Sequence, residues 1–135
     1  MSGTRKRLVA LDLDGTLTQH RSPLDEEHIM LLDSLAEKYK IIMVGAGNCP
    51  RIYKQMGEYP IDIIGNYGMQ ESRIEGGAFK IIRDDKVLPD REFFREKTDY
   101  LREKYGYTEY RGEALEFHDS GMVTFPLLGT KADIA

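Results

Sequence analysis

The chain has 135 residues, of which 41% are hydrophobic and 31% are charged. These values are typical of an ordinary globular domain with one hydrophobic core. The formal net charge of -4 argues against nucleic acid or a membrane surface as the partner. The single cysteine excludes an internal disulfide, and no apolar run reaches membrane length. We therefore expect a cytoplasmic protein.

The first half of the chain alternates apolar runs with helical patterns. Three buried strands are predicted, at 8–11, 41–44 and 61–64. Between them we expect a helix that begins after the N-cap Asp25 and runs to Tyr39, and a short helix at 50–56. Strands that alternate with helices predict βαβ units and a parallel sheet, which is an α/β fold.

From residue 69 onward the pattern changes to α+β. A hairpin is predicted at 69–82, with its turn at 75–77, and two short strands are predicted at 114–118 and 122–125. The change divides the chain into a core domain at 1–83 and a second domain at 84–135.

An amphipathic helix is predicted between the hairpin and the two short strands. Asp90 is its expected N-cap, and it ends at Tyr105. Phe93, Phe94 and Leu101 share one side of this helix, which we expect to form the core of the second domain.

Two aspartates follow the first predicted strand, in the segment Asp12-Leu13-Asp14-Gly15-Thr16-Leu17-Thr18. In open α/β sheets, ligands bind beyond the carboxyl ends of the strands. A carboxylate pair beside Mg²⁺ suits phosphoryl transfer, because one carboxylate attacks phosphorus and the other exchanges a proton. Gly15 permits a turn that exposes backbone N–H groups to phosphate oxygens.

Other interpretations of these loops were tested against their spacing. Asp-Gly is a common turn dipeptide, so two solvated loop aspartates are the simplest alternative. An EF-hand that starts at Asp12 needs glycine sixth and glutamate twelfth, but here Gly15 is fourth and Pro23 is twelfth. Gly45-Ala46-Gly47 lacks the following glycine and lysine of a nucleotide-binding loop.

The motif Asp-x-Asp-Gly-Thr-Leu-Thr after an apolar strand resembles the first motif of the haloacid dehalogenase (HAD) superfamily of phosphatases and phosphomutases. The resemblance implies that Asp12 is the nucleophile and a Mg²⁺ ligand. It implies that the Asp14 carboxyl is the general acid/base, and that Asp14 is also a metal ligand through its backbone carbonyl. Gly15 and Thr16 are expected to contact the substrate. The implied fold is a Rossmann-like parallel sheet with an inserted α+β cap domain.

Further segments resemble eukaryotic-type phosphomannomutases and related capped sugar-phosphate phosphatases. Val44-Gly45-Ala46-Gly47-Asn48 with Gln55-Met56-Gly57 resembles the Val-Gly-Gly-Ser…Gln-Leu-Gly stretch of that family. Arg111-Gly112…Glu116-Phe117 resembles its cap segment. The resemblance implies a sugar phosphate as substrate and a possible homodimer through the cap. The expected substrate contacts in these segments are Arg21, Gly45, Gly47, Asn48, Arg111 and His118.

Three departures from the family pattern bear on the activity. Gly47 stands where the second HAD motif supplies a serine or threonine. His118 and Thr130 stand where the mutase pattern has arginines, which favours a phosphatase over a mutase. The lysine and the acidic loop of HAD enzymes come from later strands, so we expect the chain to be a fragment of a longer protein. A module that binds a phosphorylated ligand or a partner without catalysis is the alternative from another class.

Overall fold

A computed structural model of the protein describes residues 7–19 and 22–133. These residues form two compact units, which divide between Asp85 and Lys86. The first unit contains a five-stranded sheet, and the second contains a two-stranded sheet. The assignment of two domains, with the second as an inserted cap, stays a prediction.

The elements of the first unit are β1 (Leu8–Asp12), α1 (Glu26–Lys38), β2 (Lys40–Val44), α2 (Cys49–Gln55), β3 (Asp62–Gly65), a 3₁₀ turn (Asn66–Gly68), β4 (Gln70–Glu75) and β5 (Ala78–Asp84). Those of the second unit are α3 (Arg91–Tyr105), β6 (Glu116–Phe117) and β7 (Val123–Thr124). The predicted elements are therefore all present within the described residues, with bounds shifted by a few residues.

The sheet of the first unit has the order β1-β2-β3-β4-β5. The first three strands are parallel, whereas β4 and β5 add an antiparallel hairpin at one edge. Asp12 at the end of β1 pairs in register with Val44 at the end of β2, and Val44 pairs with Ile64 of β3. The carboxyl ends of the three parallel strands therefore lie side by side, and the predicted α/β fold is confirmed.

Both helices of the first unit begin at side-chain caps. The Asp25 carboxylate accepts a hydrogen bond from the His28 N–H at 2.9 Å, as predicted for the start of α1. The Asn48 side-chain oxygen accepts one from the Arg51 N–H at 2.8 Å and so starts α2. Such caps satisfy N–H groups that the first helical turn leaves without a partner, and each stabilises its helix by about 1 kcal/mol.

The hydrophobic core lies between the helices and one face of the sheet. Alternate residues of β2 are buried, and Leu32 of α1 and Ile52 of α2 pack against them. Tyr53 stacks on Phe79 with ring centroids 4.4 Å apart, which joins α2 to the hairpin. The buried core residues are Leu13, Leu17, Leu24, Leu32, Ile41, Met43, Cys49, Ile52, Met56, Ile61 and Ile63.

In the second unit, the apolar residues of α3 that were predicted to form the core are not the buried ones. Phe93, Phe94 and Leu101 are exposed, so the expectation that they form the core is wrong. The buried residues of α3 are Thr98 and Arg102. Arg102 is placed inward because its guanidinium satisfies backbone carbonyls of the neighbouring loops, those of Tyr107, Ala114, Pro126 and Leu127.

Within the described part of the chain, no helix is both long enough and apolar enough to cross a membrane.

Candidate active site

Asp12 and Asp14 line one cavity of about 400 Å³ at the carboxyl end of the parallel strands. The two walls of the cavity follow directly from the sheet register, because the segment after β1 and the segment after β2 leave neighbouring strands. The lining residues are Asp12, Leu13, Asp14, Gly45, Ala46, Gly47, Arg51, Ile52 and Gln55. The structure therefore brings four of the predicted site residues together: both aspartates, Gly45 and Gly47.

The loop after β1 is a tight turn built around the carbonyl of Leu13. This carbonyl accepts hydrogen bonds from the N–H groups of Thr16, Leu17 and Thr18 at 3.0 to 3.2 Å. Gly15 has a φ of 77°, a left-handed conformation that glycine adopts without strain, and its N–H donates to Thr18 O at 2.7 Å. The N–H groups of Gly15 and Thr16 are thus used inside the turn, and the expected contact of loop N–H groups with phosphate stays a prediction.

The Thr16 side chain is hydrogen-bonded to Asp12. Its hydroxyl donates to Asp12 Oδ2 at 3.0 Å. This contact restrains the carboxylate predicted to be the nucleophile. Thr16 and Gly15 do not line the cavity, so their predicted contact with substrate stays a prediction.

The second wall of the cavity is held against β3 by backbone contacts. The Gly45 N–H donates to Ile64 O at 2.9 Å, and the Asn66 N–H donates to Gly47 O at 2.9 Å. Gly65 permits this close approach, since a Cβ there would lie 2.6 Å from Gly47 O. The Asn48 side-chain oxygen is occupied as the cap of α2 and is not among the cavity-lining groups.

Two residues of α2 that sequence reasoning did not assign to the site contact Asp14. Gln55 Nε2 donates to Asp14 Oδ1 at 2.7 Å and to Ser22 O at 2.9 Å. Arg51 Nη2 lies 3.8 Å from Asp14 Oδ2. A signal for them exists in the sequence, because positions four apart share one face of a helix and their side chains tilt toward its N-terminus, where the site lies.

The predicted substrate contacts of Arg21, Arg111 and His118 stay predictions. Arg21 lies outside the described residues. Arg111 belongs to the second unit, where its Nη1 is 2.9 Å from Asp133 Oδ2. His118 belongs to the same unit, and its Nε2 is 2.9 Å from Thr124 Oγ1.

Cys49 is the first residue of α2, and its side chain is fully buried. Burial raises the pKa of the Cys49 thiol, because the loss of hydration disfavours the thiolate more than its hydrogen-bond partners favour it.

The donor set at the site fits a magnesium ion. Mg²⁺ is commonly held by one or two carboxylates while it keeps several waters and contacts substrate phosphate. Asp12 would provide a carboxylate and Asp14 its backbone carbonyl, and the described residues contain no group of three or more acidic, histidine or cysteine side chains that could hold a metal. The residues present could therefore form part of a metal site.

A curated protein resembles the chain in sequence. No family model matches the chain. It is 23% identical over 133 residues to a phosphomannomutase of Encephalitozoon cuniculi (strain GB-M1), a match that covers 94% of this chain and 52% of that protein. The chain thus spans about half the length of the curated relative that it matches.

Solved structures match the chain at the level of fold. A haloacid dehalogenase-like hydrolase from B. subtilis superposes with a TM-score of 0.50 and 17% identity, over 73% of this chain and 34% of that one. A phosphatase of the haloalkanoate (HAD) superfamily from Bacteroides thetaiotaomicron gives a TM-score of 0.50 and 18% identity, over 76% of this chain and 37% of that one. The predicted resemblance to the HAD superfamily is therefore confirmed in the fold of the chain.

Proposed function

We propose that the whole protein hydrolyses a small sugar-phosphate ester in a Mg²⁺-dependent reaction through an aspartyl-phosphate on Asp12. The observation that carries this proposal is the pair Asp12 and Asp14 on one cavity, at the edge of the sheet where α/β folds bind ligands. A binding module has no need for two adjacent carboxylates, which repel the negative charge of phosphate.

In the first step an Asp12 carboxylate oxygen attacks phosphorus and the ester P–O bond breaks. Asp14 donates a proton to the leaving alcohol oxygen. In the second step water attacks phosphorus, Asp14 takes up its proton, and the bond between phosphorus and Asp12 breaks. Inorganic phosphate leaves, and both carboxylates return to their starting state.

Contacts of the described residues support these roles. The hydrogen bonds from Thr16 to Asp12 and from Gln55 to Asp14 leave each carboxylate with a defined orientation. Asp14 is half-buried, which suits a group that exchanges protons with substrate and water. A magnesium ion held by the two aspartates would offset the charge on the transferring phosphoryl group.

The sugar phosphate is proposed on two grounds. The relative from E. cuniculi is a phosphomannomutase, and the segments around Gly45 and Arg111 resemble enzymes of that kind. We propose hydrolysis and not a phosphomutase reaction, because His118 and Thr130 stand where the mutase pattern has arginines. A bisphosphorylated sugar would require those positive charges. Substrate contacts from Arg21, Arg111 and His118 remain part of the proposal.

The test is phosphate release by the whole protein from hexose 1-phosphates and 6-phosphates, with Mg²⁺ and with a chelator. We expect phosphate release only when Mg²⁺ is present, and no phosphate release by Asp12→Asn. Asp33→Asn of α1 is the matched control and should release phosphate like the wild type. Conversion of hexose 1-phosphate to 6-phosphate without phosphate release would instead identify a mutase. Phosphosugar binding without either product would favour the binding module.

A further inference from the structure

A phosphoryl group in the cavity would be stabilised by a cation from the protein in addition to Mg²⁺. A phosphate ester brings negative charge to a site that already contains Asp12 and Asp14. Of the described residues that line the cavity, Arg51 alone carries a permanent positive charge. The phosphate-binding role of this cavity therefore points to the guanidinium of Arg51.

The guanidinium of Arg51 occupies the space that a side chain at position 47 would fill. A Cβ built on Gly47 would lie 2.9 Å from Arg51 Nη1 and 3.5 Å from Cζ. Gly47 does not have a positive φ, so its backbone conformation does not require glycine. Because Gly47 has no side chain, the guanidinium of Arg51 has room above the loop.

Arg51 can turn toward an anion at small cost. Its side chain is 47% exposed, and its contact with Asp14 is long, at 3.8 Å. Ion pairs of this kind contribute little to stability. A guanidinium also offers paired N–H donors that match two oxygens of one phosphate.

Two backbone donors of the first loop are already engaged. The N–H groups of Gly15 and Thr16 donate to Thr18 O and Leu13 O within the turn. Gly47 offers no side-chain donor. Among the described side chains that line this cavity, Arg51 and Gln55 carry N–H donors, and the Gln55 amide already donates to Asp14 and Ser22 O.

We infer that Arg51 is a phosphate-binding residue, which holds the phosphoryl group of a phosphate monoester from the space above Gly47. The inference rests on the proposed function for its ligand class, but it assigns a residue that the proposal does not include. Arg51 and a hydroxyl-bearing side chain at position 47 are alternative occupants of the same place.

The inference is tested by calorimetric titration of the whole protein with inorganic phosphate in the presence of Mg²⁺. Arg51→Ala should weaken phosphate binding about 10- to 100-fold, the value of one or two hydrogen bonds to a charged group. The phosphate affinity of Arg51→Lys should lie between those of the wild type and Arg51→Ala. Lysine keeps the positive charge but lacks the paired N–H donors of the guanidinium. Arg73→Ala removes an exposed arginine of β4 and should bind phosphate like the wild type.

A second comparison tests the competition for space. Gly47→Ser should recover part of the phosphate affinity in the Arg51→Ala background, because the hydroxyl enters the vacated space. In the wild type the gain in affinity should be smaller, because the serine first has to displace the guanidinium of Arg51. Equal gain in both backgrounds would show that the two positions are independent and would overturn the inference.

The outcomes separate this inference from the proposed function. Phosphate binding that depends on Arg51, without any hydrolysis, would refute the function and leave the phosphate-binding role of Arg51 intact. Hydrolysis by the wild type, together with the same phosphate affinity in the wild type and Arg51→Ala, would refute the role of Arg51 and leave the proposed function intact. Absence of phosphate binding by the wild type would overturn the role of Arg51.

Discussion

Asp14, the proposed acid/base, is contacted by side chains of α2. Gln55 donates one hydrogen bond to Asp14 and a second to Ser22 O, so its amide joins the acid/base candidate to the segment before α1. Outer partners of this type fix the orientation of the groups that act on substrate. Gln55 thus has a positioning role within the proposed mechanism.

Replacing Gln55 tests this role. We expect Gln55→Met to lower kcat about 10- to 100-fold with a smaller effect on KM, since the orientation of Asp14 is lost while the binding groups remain. Steady-state kinetics of the whole protein measure the two constants. Lys54→Met changes an exposed neighbour on the same helix and should be neutral; equal kinetics for both variants would refute the positioning role.

Cys49 differs from a reactive cysteine in its burial. The raised pKa reduces the thiolate fraction, and the fully buried sulfur is out of reach of reagents. We expect an aromatic disulfide reagent to modify native Cys49 at least about 100-fold more slowly than the unfolded chain. In a Cys49→Ala background, Ser34→Cys on the exposed side of α1 provides the matched control. Fast native modification of Cys49 would contradict the buried placement.

Among the elements, β2, β3 and β4 are joined by one carboxylate. Asp62 of β3 accepts from Lys40 Nζ of β2 at 2.8 Å and from the Ile74 N–H of β4 at 2.9 Å. Burial acts to raise the pKa of Asp62, but the hydrogen bonds from Lys40 and Ile74 and the nearby positive charges together lower it. The ionised form therefore stabilises the sheet.

The sign of the resulting pH dependence follows from this lowered pKa. The stabilisation is fully present above the ordinary value of 3.8 and is lost as the pH falls through the pKa of the folded protein. We expect Asp62→Asn to reduce the free energy of unfolding by about 1 to 2 kcal/mol at pH 7. The difference should shrink below about pH 4, as measured by urea unfolding. Glu75→Gln, in an exposed pair with Lys80, should show no such difference, and a pH-independent effect of Asp62→Asn would contradict the account.

In the second unit, α3 depends on Arg102. Besides its hydrogen bonds to carbonyls, the guanidinium lies over the rings of Tyr110 and Phe125, with its carbon 4.5 and 4.8 Å from their centroids. Arg102→Met would leave the carbonyls without their donors, at a cost of several kcal/mol. We expect hydrogen exchange to accelerate across 107–128 while the first unit keeps its protection. Arg95→Met on the exposed side of α3 is the control, and unchanged exchange in Arg102→Met would refute the role of Arg102.

The sequence predicted these elements well because each has a local signal. Asp25 and Asp90 are side-chain caps in the structure, and the Glu75-Gly76-Gly77 turn closes the hairpin. The core of the second unit was mispredicted because helical periodicity identifies an apolar side, whereas the buried position of Arg102 depends on carbonyls that lie up to 25 residues away in sequence. Such pairing has no local pattern.

At the scale of the whole molecule, the site could be predicted only in part. Asp12 and Asp14 follow from the motif and the parallel sheet. The spacing of Arg51 and Gln55 places them on one face of α2, but it does not give their contacts with Asp14, which depend on the angle at which α2 leaves the loop after β2. The same packing uses the Asn48 side chain as a helix cap.

The exposed surface bears on the assembly of the whole protein. On the face of the sheet opposite the core, Leu8 and Val44 are exposed, although strands of parallel sheets are commonly covered on both faces. In the second unit, Phe93, Phe94 and Leu101 are also exposed. Apolar surface of this kind marks contact regions, and a homodimer through the second unit remains our proposal for one of them.

The most direct test of the account is to trap the phosphoryl group on Asp12. The whole protein carrying Asp14→Ala is incubated with Mg²⁺ and a hexose phosphate that the wild type hydrolyses, quenched in acid, and analysed by peptide mass spectrometry. The loss of the acid/base group slows hydrolysis of the intermediate, so we predict one added phosphoryl group on the peptide that contains Asp12 and none when Asp12→Asn is also present. A phosphoryl group on another residue, or turnover by Asp12→Asn at the wild-type rate, would contradict the assignment of Asp12 as the nucleophile.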